Sequence, residues 1–192
     1  MELGATFRKY AKLVNYITFQ AGWFACVWGA GQGMVWLGPV FVAVVMAFQA
    51  GILMRMTRGQ VYFILLGASI GLSLDTGMIL AGVYVPVREF MPWPLAPVWI
   101  IALWVLFTSS FSLSLQALHG RPLLACLLGA VAAPLSYAAG GRMGAAIMNP
   151  SFLKGYVALG VVWGIAVPLL FALSSALLRG ENSQLAASGE SP

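Results

Sequence analysis

Six apolar runs, each about as long as the hydrocarbon core of a bilayer is thick, limit what this chain can fold into. They fall at about 13–31, 34–54, 61–83, 96–118, 122–140 and 155–177, and a membrane helix needs about 20 such residues. The composition leaves no aqueous alternative. Of the 192 residues, 61% are hydrophobic and 8% charged, and the mean hydropathy is +0.92. A soluble domain has roughly a quarter of its residues charged; a chain this poor in charge would expose large apolar patches and aggregate in water. The formal charge of +5 is therefore topology information, and no nucleic-acid partner is expected.

The breaks between the runs hold charges or the Gly and Pro of turns. GQG (31–33) ends the first, and MTRGQ (56–60) separates the second from the third. VPVREFMPWP (85–94) is Pro-rich and suits the membrane interface. HGRP (119–122) is a tight turn that offers Pro122 to a helix first turn. GGRMGAAIMNPSFLKG (140–155) is the longest loop. With six crossings both termini lie on one side. Arg8, Lys9, Lys12, Arg55, Arg58, Arg121 and Arg179 fall on that side, and Arg88, Arg142 and Lys154 on the other. The excess of cations puts both termini in the cytoplasm. The predicted fold is an all-α six-transmembrane-helix bundle. It comprises a short cytoplasmic segment (1–12), a membrane domain (13–179) and a small, polar tail (180–192) expected to be disordered. The first run, with its basic start, has the look of a signal peptide. Its length and its Asn15, Gln20, Trp23 and Trp28 favour a retained helix.

Asp75 is the one acid embedded in a run. A charged side chain near mid-membrane costs about 2.5–3.5 kcal/mol on insertion scales, so it must face protein or water. Gly67, Gly71 and Asp75 are spaced by four and share one helix face, and small residues at that spacing let a second helix approach. The fifth run has a matching stripe of Ala125, Gly129, Ala133 and Tyr137. LLGA occurs at 65–68 and at 127–130, and counting from each sets Tyr137 at the depth of Asp75. Tyr137, or a group beside it, is therefore expected to hydrogen-bond Asp75. Gly160, Gly164 and Pro168 form a further close-packing stripe in the sixth run. Thr108, Ser109, Ser112 and Gln116 share a face in the fourth, suited to interhelical bonds and to bonds back to helix carbonyls.

The tryptophans at 23, 28, 36, 93, 99, 104 and 163 all fall in the outer half of this topology. Trp28, Trp36, Trp93 and Trp99 suit an interfacial belt. Trp23, Trp104 and Trp163 lie deeper, where they either line a pocket with Asp75 and Tyr137 or fill the bundle. Arg88, Arg142 and Lys154 are candidate partners for Asp75 or for an anionic headgroup. Cys26 and Cys126 fall near opposite faces, too far apart for a disulfide, and the single histidine, His119, leaves no metal cluster. No cofactor motif is present. NPS (149–151) reads as an Asn-Pro turn. His119, at the inner face, is too far from Asp75 for a Ser-His-Asp triad.

NYITFQAGWF (15–24), APVWIIALWVLF (96–107) and GAVAAPLSYAAGGRMGA (129–145) resemble an uncharacterised bacterial family of inner-membrane proteins, domain of unknown function 2878. The likeness extends over about residues 13–177. It implies a six-helix inner-membrane protein with no established activity, and it leans toward lipid or envelope roles. A looser likeness, through LLGASIGLSLD and Ala21-xxx-Ala25, is to the substrate-binding subunits of energy-coupling-factor transporters and to the rod-shape-determining six-helix membrane protein.

Three functions stay open. The first is a module that binds or translocates a small apolar or amphipathic molecule in an outer-half pocket of Asp75, Tyr137, Trp23, Trp104 and Arg142. The second is a non-catalytic scaffold of an envelope or lipid-modification complex, packing through its small-residue faces. The third is an intramembrane lipid-modifying enzyme using Asp75 with Tyr137 for proton transfer; no nucleophile, metal cluster or cofactor motif accompanies them. Membrane lipids are the expected partners, with a membrane-protein partner or a second copy left open.

Overall fold

The computed structural model describes residues 10–53, 56–87 and 91–188. Among them are six α-helices: α1 Ala11–Gly31, α2 Leu37–Phe48, α3 Arg58–Leu80, α4 Val98–Ser109, α5 Pro122–Arg142 and α6 Ala158–Ser188. Three stretches, Arg58–Leu80, Pro122–Arg142 and Leu153–Leu178, are long and apolar enough to cross a membrane. Leu37–Gly51 and Val98–Ser109 are apolar but shorter. Large apolar side chains such as Ile17, Val44, Leu65, Leu127, Leu135 and Leu169 stand exposed on the outside, the surface that hydrocarbon requires and water would penalise. The chain is an all-α, multi-pass membrane protein.

The helix ends follow from local sequence. Thr57 accepts from the Gln60 backbone N–H, and the Gln60 side chain accepts from the Thr57 N–H, a reciprocal cap that starts α3. Pro122 opens α5, where its missing N–H costs nothing. Gly33, Gly82, Gly120 and Gly144 take positive φ in the connections, a conformation that residues with a Cβ rarely adopt.

The fourth apolar run departs from the expected unbroken span. α4 ends at Ser109, and the chain continues as turns to a 3-10 turn at Gln116–Leu118. Hydroxyls cause the break. Thr108 Oγ1 donates to the Trp104 carbonyl at 2.8 Å, and Ser109 and Ser110 both donate to the Leu106 carbonyl at 2.8 and 3.0 Å. Three consecutive residues thus compete with the backbone for helix carbonyls. Irregular backbone at membrane depth needs partners from protein. Asn15 supplies one, its Oδ1 accepting from the Ser114 backbone at 3.3 Å and from the Ser114 hydroxyl at 2.6 Å. His119 supplies another, its Nε2 lying 3.3 Å from the Phe111 carbonyl.

Two further departures lie elsewhere in the chain. Tyr84–Pro86 (β1) and Ala146–Met148 (β2) pair antiparallel, Val85 opposite Ile147, tying the third loop to the fifth. Asn149 extends the tie by donating its side-chain amide to the Gly82 carbonyl at 2.7 Å. The last helix also runs on through Ser188, so the polar stretch from 180 begins as helix. Residues 1–9, Arg55, Arg88 and 189–192 lie outside the described residues.

α4 is wedged among α1, α2 and α3, while α6 packs on both α3 and α5. α1 and α5 scarcely touch. The gap between them, backed by α4 and α6, is where the bundle encloses space.

Candidate functional site: a buried carboxyl hub behind an apolar cavity

Asp75 is fully buried and turned inward. Gly71, one turn earlier on the same face, lies so close to Trp104 that a Cβ there would overlap the indole ring; Gly67 likewise abuts Thr108. That approach of α4 to α3 delivers Trp104 Nε1–H to Asp75 Oδ2 at 2.6 Å. The β1–β2 ribbon folds Tyr84 back over the end of α3, and its hydroxyl donates to Oδ1 at 2.7 Å. The Tyr137 hydroxyl, from α5, donates to the same oxygen. The Tyr84 and Tyr137 rings meet edge-on, with centroids 5.1 Å apart. Burial first, and the adjacent Asp75 second, push the Tyr84 hydroxyl well above the ordinary tyrosine range, so it keeps its proton and stays a donor. One carboxyl therefore joins α3, α4, α5 and the ribbon through three neutral donors.

These donors turn their other faces to a cavity of about 630 Å³. Trp104 stacks on Trp163 of α6 at 4.7 Å, and Phe107 meets Trp163 edge-on at 5.8 Å. Across the space stands Trp23 of α1, whose Nε1–H donates to Ser136 Oγ of α5 at 2.8 Å. One end is lined by Tyr84, Trp99 and Ala146 and the other by Leu115, Leu118 and Phe171. Between α1 and α5 the rim is formed by Tyr16, Leu128 and Leu135, all exposed to the surroundings of the bundle. Among the described residues, none that line it is charged.

A family model described as Protein of unknown function (DUF2878) matches residues 12–169. The chain belongs to the DUF2878 family. No curated protein and no solved structure matches it, so the looser likeness to the transporter subunits and to the rod-shape protein has no support.

In this DUF2878 chain Asp75, Tyr137 and Trp104 form one hydrogen-bonded group, and Trp23 lies across the cavity from them. Asp75 itself does not line the cavity; its three donors stand in between. Arg142, at the end of α5, is exposed and does not line it either. Of the packing residues, Gly129 lies against the Trp163 carbonyl, Gly160 against the Ala130 carbonyl, and Gly164 against Ala130 and Cys126. Ala133 is buried. Both cysteines are free, and no metal-ligating cluster occurs among the described residues.

Two members of the site go beyond what the sequence suggests. Tyr84 lies past the end of α3, and only the pairing of two loops brings it back to Asp75. Trp99 suits the interfacial belt by position but is 5% exposed, whereas Trp28, Trp36 and Trp93 are exposed as a belt requires. The signal for Trp99 is its four-residue spacing from Leu103, which sets the two on one face of α4.

Proposed function

We propose that this chain is a six-span protein of the bacterial inner membrane, with both termini cytoplasmic, that binds a small apolar or amphipathic, lipid-like molecule in the cavity between α1, α4, α5 and α6. The cavity carries the reading. Its volume, about 630 Å³, falls within the roughly 300–1,000 Å³ of small-molecule sites, whereas helix bundles otherwise pack to crystal-like density. Its rim at Tyr16, Leu128 and Leu135 is apolar and exposed, so a ligand would enter sideways from acyl chains. The shorter α2 and α4 would complete their crossings through the π-helical turn at Gln49–Leu53 and the turns that follow Ser109.

The scaffold reading has less support, because Trp104 and Thr108 of the same chain already occupy the Gly71 and Gly67 face. The enzyme reading lacks a carboxylate against the cavity among the described residues.

Mass spectrometry of lipids and metabolites that stay with gently extracted protein tests the proposal. A defined small set of species should co-purify. Ala132→Trp, at the exposed rim on α5, should remove it without lowering the melting temperature by more than a few degrees. Retention of the same species by a folded Ala132→Trp protein would rule out this cavity. Topology is checked separately: a fluorescent-protein fusion at the C-terminus should glow, and an alkaline phosphatase fusion there should be inactive.

A further inference from the structure

The cavity is apolar within and basic at its mouth. Among the described residues none that line it is charged, so an ionised group inside would lose its hydration without a counter-charge. Any charge on the occupant therefore stays outside, where its chain leaves the bundle. The way α1 and α5 meet fixes the place of that exit. Gly31 lies against the Met143 carbonyl and Gly140 near Val27, and one turn before these last two Trp23 donates to Ser136. The three contacts advance together along both helices, so α1 and α5 run parallel and close the gap at the Gly31 end. Toward their starts the gap opens, between Tyr16 and Gln20 of α1 and Leu128 and Ala132 of α5, all exposed and all lining the cavity.

A cation stands at the start of each helix, at this open end. Lys12 is one turn before Tyr16 and Arg121 two turns before Leu128, each on the face of the residue it precedes, and both are exposed. Counted back from the Trp23–Ser136 bond, the two cations differ in depth by about 6 Å. The exposed stripe of α1 reads Lys12, Tyr16, Gln20 from its start, a charge, a phenol and an amide at steps of about 6 Å. An anionic lipid carries its groups in the matching order: phosphate, ester oxygens, then chain. Arg142, by contrast, stands at the end of α5 that Gly31 and Met143 close.

We infer that the occupant is an anionic phospholipid of the surrounding bilayer, with one acyl chain in the cavity along Phe19, Trp23 and Phe107 and its phosphate held at the mouth by Lys12 and Arg121. This rests on the reading of the cavity as a lipid site and narrows it to one class. The second acyl chain stays in the bilayer, against the exposed side of Leu128 and Leu135.

The test reconstitutes the full chain in vesicles of phosphatidylcholine and phosphatidylglycerol of fixed composition. A dibrominated stearoyl chain is carried by a minor share of one lipid or, at equal mole fraction, of the other. Bromine in the cavity quenches Trp23, Trp104 and Trp163, which line it. A Trp28→Phe/Trp36→Phe/Trp93→Phe background removes the exposed indoles. Brominated phosphatidylglycerol should occupy the cavity about 5- to 30-fold more tightly than brominated phosphatidylcholine, the range that one to two cations near a membrane surface give. Lys12→Gln/Arg121→Gln should bring the two lipids to parity and leave quenching by the phosphatidylcholine unchanged. Arg58→Gln should keep the preference, because Arg58 is an exposed cation at the start of α3, which packs on α4 and α6 away from the mouth. Equal quenching by the two lipids in the protein with Lys12 and Arg121 intact overturns this inference, and that result depends on neither variant. A preference that survives Lys12→Gln/Arg121→Gln, or that Arg58→Gln abolishes as well, also overturns it. If neither lipid quenches the cavity tryptophans, no acyl chain enters and the underlying proposal fails too.

Discussion

Asp75→Ala is expected to destabilise the bundle by at least about 3 kcal/mol, since it strips the acceptor from three donors at once and each orphaned buried donor costs about 1–3 kcal/mol. The donors are the Tyr84 hydroxyl, the Trp104 indole and the Tyr137 hydroxyl, and they come from the ribbon, α4 and α5. Solvent cannot readily take the place of the carboxyl, because Asp75 is completely buried. Asp75→Asn separates the hub from mere bulk. With its oxygen toward the two tyrosines, the amide sets an NH₂ against the Trp104 Nε1–H, a donor facing a donor. The loss should be about 1–3 kcal/mol, for that one contact. Trp104→Phe removes the opposing donor, so the Asp75→Asn/Trp104→Phe double variant should be more stable than the sum of the single losses predicts. Equilibrium unfolding in mixed micelles with increasing dodecyl sulfate measures all four proteins. A loss under about 1 kcal/mol for Asp75→Ala, at the floor of the cost of even one orphaned donor, or strict additivity in the cycle, would remove the carboxyl from its role as the joint between helices.

The same residues show which parts of the site a reader of sequence can recover. The inward face of Asp75 is written in the four-residue spacing from Gly67 and Gly71, because a helix repeats its faces at that period. Tyr137 follows from counting depth along two parallel-running helices. Tyr84 does not follow, because it depends on Val85 pairing with Ile147, and short strand pairs between loops leave little local pattern. The break after Ser109 is half legible. Thr108, Ser109 and Ser110 advertise bonds back to carbonyls, yet the high hydropathy of the run argues for one unbroken span. What decides is non-local: Asn15 on α1 offers Ser114 the acceptor that makes an interrupted helix tolerable. The cavity is likewise invisible to spacing rules. It exists because α1 and α5 are held apart, and sequence position says nothing of that distance.

Gly71→Ala should be the most damaging single methyl that α3 can receive, and Gly77→Ala on the same helix should do no harm. At Gly71 the added carbon would overlap the Trp104 ring itself. Trp104 cannot simply swing aside, since its other face is stacked on Trp163 and its Nε1 is tied to Asp75. Either α3 and α4 separate or the indole leaves the carboxyl. Overpacking alone costs about 1–3 kcal/mol, and the broken hydrogen bond adds about 1–3 kcal/mol, so a total of about 2–6 kcal/mol is expected. Gly67→Ala meets only the Thr108 side chain, whose loss of position disturbs no buried carboxyl, and it should cost less. Gly77 is exposed, and a methyl added there would have no neighbour within 4 Å. Alanine favours the helix by roughly 0.5–1 kcal/mol, so stability at that position should stay level or rise slightly. Melting temperatures of the three variants in one detergent rank them. The ranking also bears on ligand binding: because Trp104 forms the cavity wall as well as the hub, Gly71→Ala should reduce the species that co-purify with the protein, while Gly67→Ala should leave them in place. A Gly71→Ala protein as stable as Gly77→Ala would mean that the approach of α4 to α3 is looser than Trp104 and Asp75 require, and the hub and the cavity wall would lose their common support.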